Sequence, residues 1–248
     1  MKPTLILLLF ISQVFWAQTP FDKGNQYYEK ENYEAAISSF ESILASGKQS
    51  SELYFNLANC YYKLHKVAPA IYNYEKALLL SPNDSEIKTN LEFARKIAID
   101  DIKIIPKVGF NKLLADFTSK YHYDTWAWIA VSFAFLFLLF FIGYYFSQRT
   151  VFKRVYFIGI FFWLLGIVLS SASGFYEKNR NENEKPAIVF AETSPLKSEP
   201  KASGQDATVL HEGTKVYILE SIANWKKVEL TDETRGWIDE NAIKEIKN

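Results

Sequence analysis

Residues 51–84 read SELYFNLANCYYKLHKVAPAIYNYEKALLLSPND, and residues 17–50 before them read AQTPFDKGNQYYEKENYEAAISSFESILASGKQS. Sliding one stretch onto the other brings Gly24 onto Ala58, Tyr27 onto Tyr61, Ala36 onto Ala70, Phe40 onto Tyr74 and Ile43 onto Ala77. Small and aromatic residues thus recur with a period of 34 residues. A period in this range marks units that cannot bury their apolar faces alone and must stack. The spacing predicts two antiparallel helices per unit. Gly24, Ala36, Ala58 and Ala70 let the paired helices approach, and Tyr27, Phe40, Tyr61 and Tyr74 fill the gaps between them. Pro69 falls in the first turn of a second helix, where its missing N–H costs little. Pro82 ends the second unit, and Gly47 can end the first, where Lys48 stands in place of the proline. An amphipathic stretch at 85–99, with Ile87, Leu91 and Ala94 on one side, is expected to cap the pair.

The 34-residue unit resembles the tetratricopeptide repeat, closely over 51–84 and more loosely over 17–50. The resemblance implies a helical domain over 18–100 whose first helices line a concave face. That face would carry Phe21, Asn25, Tyr28, Phe55, Asn56, Asn59, Tyr62 and Phe93. Amide side chains can hold an extended peptide backbone, since each offers both donors and an acceptor. Asn25, Tyr28, Phe55, Asn56, Asn59 and Tyr62 are therefore the candidate peptide-binding groove. In relatives that clamp a C-terminal carboxylate, two Asn are joined by Lys and Arg. Asn25 and Asn56 match the Asn positions, but Phe21, Glu86 and Asn90 stand at the basic ones, so the expected ligand is an internal segment. Alternatively these side chains simply pack the repeats. About three units are the usual minimum for such arrays. Two units and one helix are expected to lean on a membrane, on a second copy or on a partner.

The rest of the chain departs sharply in composition. Among 248 residues there are 28 basic and 28 acidic side chains, and 17% of the chain is aromatic. The charge balance argues against a nucleic-acid binder, and the aromatic load points to membrane segments. Residues 1–17 carry Lys2, an apolar run and Ala17, the pattern of a secretory signal peptide. An uncleaved anchor is the alternative, although the run is short for crossing a bilayer. Two stretches, Asp124 to Arg149 and Arg154 to Glu177, enclose no charge, and each is long enough to cross a ~30 Å hydrocarbon layer. Transmembrane helices are expected at 125–147 and 155–176. Between them, 148–154 holds Arg149, Lys153 and Arg154 without an acid, the mark of a cytoplasmic loop. Signal and loop agree in placing both terminal portions on the far side of the membrane. Gly166, Ser170 and Gly174 on the second span, and Ala127, Ala130 and Ala134 on the first, predict close packing as a hairpin. Docking onto another membrane protein is the alternative. Within 101–124, Phe110, Leu113, Leu114 and Phe117 fall on one helical face. This juxtamembrane segment is expected to lie in the interface or to pack on the N-terminal domain.

Residues 177–185, polar and charged, read as a linker. From Pro186 to the end, short β-type runs alternate with turns at Glu212-Gly213-Thr214 and Asp232-Glu233-Thr234, which predicts five strands in a small barrel. The features Glu212-Gly213-Thr214-Lys215-Val216, Trp225-Lys226-Lys227-Val228 and Gly236-Trp237-Ile238 resemble the bacterial SH3-like domain. By that resemblance 186–248 is an SH3-like module, with Trp225 and Trp237 lining a ligand cleft or packing its core.

The fold class is thus multidomain: a helical tetratricopeptide domain, a two-helix transmembrane hairpin and a small all-β barrel. Cys60 is the one cysteine, and His65, His122 and His211 lie far apart in sequence, so no metal site, cofactor or catalytic group is expected. No phosphate loop or metalloprotease motif is present. The order of modules resembles the BatE-type membrane proteins of the Bacteroides aerotolerance (Bat) operon family. It implies a non-enzymatic scaffold linked to aerotolerance or envelope stress, with other Bat-type membrane proteins carrying von Willebrand factor A domains as partners. The alternatives are a peptidoglycan sensor or anchor acting through the C-terminal module, and an enzyme with an unrecognised site.

Overall fold

The structure, a computed structural model, describes residues 19–102 and 109–247. The expected signal peptide lies outside the described residues, as do 103–108 of the juxtamembrane segment. Five helices build the N-terminal part: α1 (Pro20–Glu29), α2 (Tyr33–Ala45), α3 (Ser51–Lys63), α4 (Val67–Leu80) and α5 (Ser85–Lys96). Each start but that of α4 has a side-chain cap, from Thr19, Asn32, Ser50 and Asp84. Thr19 and Asp22 cap each other reciprocally in a capping box.

The 34-residue period extends to the backbone. Glu31 and His65 occupy the same repeat position, and both are left-handed, with φ of 59° and 56°. In each unit the next amide, Asn32 or Lys66, donates back to the carbonyl of Tyr27 or Tyr61 at 2.9 Å. The two units therefore share one turn between their helices, and His65 is a turn residue. Gly24 lies so close to the Phe40 ring that a Cβ there would come within 2.4 Å of it. The small-against-aromatic pairing read from the repeat is a real contact.

Three helices follow: α6 (Phe110–Thr118), α7 (Tyr123–Phe146) and α8 (Thr150–Asn183). Helices α7 and α8 are long and apolar enough to cross a membrane. They pack as a hairpin in which glycines of one helix receive aromatic rings of the other. Gly159 faces Phe140, Gly166 faces Phe133, Gly143 faces Tyr156, and Gly174 faces Trp126. On α8 the expected small residues lie in this seam. On α7, Ala127 and Ala134 are exposed and Ala130 is half-buried, and rings with Gly143 carry most of the seam. Rings fill the space that Gly159 and Gly166 leave on α8 and that Gly143 leaves on α7.

Two boundaries differ from expectation. Most of 148–154 is helical, because α8 begins at Thr150. The stretch 177–185 is not a linker either, since α8 runs on to Asn183. Its charges pair along the helix, Glu177 with Arg180 at 2.6 Å and Lys178 with Glu182 at 3.8 Å. Nothing breaks the helix before Pro186.

Residues from Pro186 onward form one antiparallel sheet: β1 (Pro186–Val189), β2 (Thr193–Lys197), β3 (Asp206–His211), β4 (Lys215–Ile222), β5 (Trp225–Glu229), β6 (Arg235–Asp239) and β7 (Ile243–Glu245). The strand order is β3-β2-β6-β5-β4-β1-β7. Two strands, β2 and β7, go beyond the five expected. Val189, Leu196, Leu210, Val216, Val228 and Ile238 meet in one apolar core.

Strand β1 is buried on both faces. Side chains alternate along a strand, so Ala187 and Val189 point into the sheet core while Ile188 points the other way. Ile188 joins Ile246 in a second cluster with Ala68, Ile71, Tyr72 and Tyr74 of α4. The repeats thus lean on the sheet of their own chain. Tyr72 and Phe190 meet edge to face at 5.6 Å, and the Lys244 ammonium lies 4.5 Å from the Tyr72 ring centre. Gly213, at φ +89°, touches α4 so closely that a Cβ would lie 2.9 Å from Val67 Cγ1.

Ile188→Ala should therefore cost about 2–5 kcal/mol. The full chain in detergent should melt at a clearly lower temperature. An unchanged midpoint would mean that the sheet does not support the repeats.

Candidate functional site

The concave side of the repeats holds a cleft of ≈ 390 Å³ lined by Tyr28, Asn59, Tyr62, Lys63, Tyr74, Glu86, Asn90 and Phe93. Three of the six groove residues expected from sequence, Tyr28, Asn59 and Tyr62, are brought together in it. The other three stand apart. Asn56 Nδ2 donates to Asn25 Oδ1 at 2.9 Å, so these amides hold α3 against α1. Phe55 packs against the Tyr74 ring, with centroids 6.0 Å apart.

Asn59 is committed on one side. Its Oδ1 accepts from the Tyr74 hydroxyl at 2.5 Å and from Asn90 Nδ2 at 3.1 Å. Both lone-pair directions of that oxygen are used, which leaves the Nδ2 donors for a ligand. Burial pushes the Tyr74 hydroxyl above its usual range, so it remains a donor to Asn59. Lys63 and Tyr74 were missed as lining residues. Lys63 lies one turn beyond Asn59 on the same helix face, a spacing visible in the sequence. Tyr74 was read only as repeat packing, and it does both.

A family model for the tetratricopeptide repeat matches residues 51–84. No curated protein matches the chain. The matched unit supplies α3 and α4, and with them Asn59, Tyr62, Lys63 and Tyr74 of the cleft. Repeats of this kind suggest a protein-binding scaffold.

Trp225 and Trp237 lie on one face of the sheet. Trp225 sits opposite Asp239, and Lys227 opposite Trp237, so the two indoles are diagonal neighbours. Trp237 is buried, with the Lys227 ammonium 5.8 Å from its ring centre, and Trp225 is half-buried. The pair forms a wall closed by a cation.

The junction between repeats and sheet concentrates the chain's buried charge. Glu75 on α4 takes Arg95 of α5 at 2.7 Å and Lys215 of β4 at 2.7 Å. Burial alone would raise its pKa, but the two cations outweigh it and hold the carboxyl below the usual range. Asp100 accepts from the His211 amide at 2.7 Å and from Thr214 Oγ1 at 2.6 Å, and it contacts His211 Nδ1 at 2.7 Å. Burial opposes its ionisation too, yet these hydrogen bonds keep its pKa low. His211 thus has the partner that its sequence neighbours did not reveal. Burial pushes the Cys60 thiol up to about 12, far from a reactive thiolate. Among the described residues no group of three or more His, Cys, Asp and Glu is placed to hold a metal.

Both depressed carboxyls stabilise the junction above the unfolded carboxylate pKa of about 4, and that contribution is lost as pH falls through their lower folded values. Acidifying the full chain from neutrality to below about pH 4 should lower amide protection, taken relative to the intrinsic exchange rate at each pH, around Gly213–Lys215 ahead of the sheet core. Asp100→Asn should weaken the junction at neutral pH and shrink its acid response. Protection that does not change with pH would show that the ion pairs do not hold the seam.

Proposed function

We propose that the chain is a non-enzymatic scaffold held in a bacterial inner membrane by α7 and α8. Its repeats and C-terminal module would both face the periplasm and present a groove to a partner protein. The observation that carries this reading is the open concave cleft with unspent amide donors, next to a hairpin long and apolar enough to cross a membrane. Arg149, Lys153 and Arg154, gathered at the α7–α8 turn, support a cytoplasmic turn and so a periplasmic position for both ends. The antiparallel sheet with its single core supports an SH3-like module. Signal, repeat pair, hairpin and β-module follow the order of the BatE-type proteins. On that basis we assign the chain to a complex with membrane proteins carrying von Willebrand factor A domains, in aerotolerance or envelope stress.

The test is affinity capture of the full chain from gently solubilised membranes beside a double variant in the cleft lining, Tyr62→Ala and Lys63→Ala. Neither side chain takes part in the Tyr74–Asn59–Asn90 hydrogen bonds, so the melting temperature should shift little. Partner recovery should fall at least tenfold. Equal recovery by the variant would refute the groove. Recovery of cell-wall fragments alone, lost in a Trp225→Ala chain, would move the function to the sheet as a peptidoglycan anchor.

A further inference from the structure

We propose that α6 is a third membrane contact, lying along the headgroup–acyl boundary of the bilayer with Leu113 and Phe117 turned to lipid. This inference rests on the membrane reading of α7 and α8 and goes beyond their two crossings.

The sequence left two positions open for this helix, and its contacts separate them. The side of α6 that is buried faces the hairpin. Thr118 is buried, its carbonyl accepts from Trp126 Nε1 at 2.9 Å, and its hydroxyl donates to Glu177 Oε2 at 3.1 Å. The repeats reach this region through Asn83, whose amide donates to the carbonyl of Lys120 in the turn after α6. The apolar stripe is left outside: Leu113 is 68% exposed and Phe117 50%. Lys112 and Asp116, also exposed, lie on the polar side, and the Lys120 ammonium in the following turn lies 5.9 Å from the Phe117 ring centre. A helix with one polar and one uncovered apolar side suits an interface plane.

The height of α6 on the hairpin agrees. Trp126 to Phe146 on α7 rises about 30 Å at about 1.5 Å per residue, one hydrocarbon thickness. Arg154 to Gly174 on α8 rises about the same. Gly174 and Trp126 touch, so their level is shared by both helices. Among the described residues, α6 meets the hairpin at this level, through Thr118 with Trp126 and Glu177 and through Phe117 with Trp126. Phe117 and Tyr121 pack on Trp126 with centroids 5.4 and 5.6 Å away, which makes the exposed stripe continuous with the apolar belt. Rings at such a rim are the usual occupants of a membrane–water interface. The contact would fix the tilt and height at which the repeats stand over the membrane.

The test uses the full chain in phosphatidylcholine nanodiscs with one nitroxide at a time, on Leu113→Cys, Phe117→Cys, Asp116→Cys or Phe141→Cys. Cys60 is fully buried and should stay unlabelled. Collision with oxygen should exceed collision with a water-soluble nickel chelate at 113 and 117, at a depth of about 5–10 Å. The order should reverse at 116. Water-like values at 113 and 117 with a lipid-like value at 141 would overturn this proposal and leave the spans standing. A water-like value at 141 would overturn the membrane reading and this one with it. Spin–spin broadening at 117 would place a second copy there instead of lipid, which also overturns it. Should Phe117→Cys lose its fold with the Trp126 contact, the exposed position 113 decides alone.

Discussion

The carboxylate of Glu75 is the point on which three parts of the chain turn. It sits in the interior of the junction, where an unpaired charge would cost several kcal/mol, so cations must reach it. They come from different elements, Arg95 from α5 and Lys215 from β4. Meeting both fixes the cap helix and the sheet against α4 at the same time. Desolvation of three charges offsets most of their attraction. The net stabilisation comes from the apolar surface beside them, where Ile188 and Ile246 bury against Ile71 and Tyr72. The ions choose the register, and the hydrocarbon holds it.

The sheet is also tied to the hairpin, through α8. Helix α8 passes from its apolar stretch straight to Asn183, and the ammonium of Lys247 caps it by donating to the carbonyls of Asn181 and Glu184 at 2.8 and 3.0 Å. A cation at a helix C-terminus meets both the orphan carbonyls and the negative end of the macrodipole. Arg180 and Glu177 then link the same turn of α8 to Thr118. Hairpin, sheet and juxtamembrane helix therefore share one end of α8, and no flexible connector intervenes.

What the sequence made legible was local and periodic. The repeat offsets gave Gly24 against Phe40, and the charge-free runs gave α7 and α8. Of the groove, Asn59, Tyr28 and Tyr62 were legible because the repeat fixes which face they share. The misses have physical causes. Strand β2 hid in a Ser/Pro-rich stretch because Pro195 argues against a strand. It is tolerated here because β2 pairs fully with β3 but touches β6 only at Lys197–Trp237. The charged end of α8 read as a linker because its stabilising pairs are a turn apart, and polarity alone cannot separate a solvated helix from a loop. Asp100 and His211 are 111 residues apart, and no periodicity reports a contact at that range. The run Ala187–Ala191 did carry a signal: a strand apolar at every position has no solvent face, so β1 needed a second partner. Gly213 was read as a turn residue, and the turn does need it, but Val67 needs the missing Cβ as well.

The brevity of the repeat array follows from this arrangement. A stacked unit exposes the face that its next neighbour would cover, which is why about three units are commonly required. Here α5 covers part of that face, and β1 with the β3–β4 turn covers the side of α4 that carries Ile71 and Glu75. The β-module thus takes over work that further repeats would do, while the concave cleft stays open. Helix α5 belongs to both surfaces: Asn90 reaches Asn59 in the cleft, and Arg95, little more than one turn on, reaches Glu75 in the seam. The cleft and the sheet junction therefore meet on one short helix.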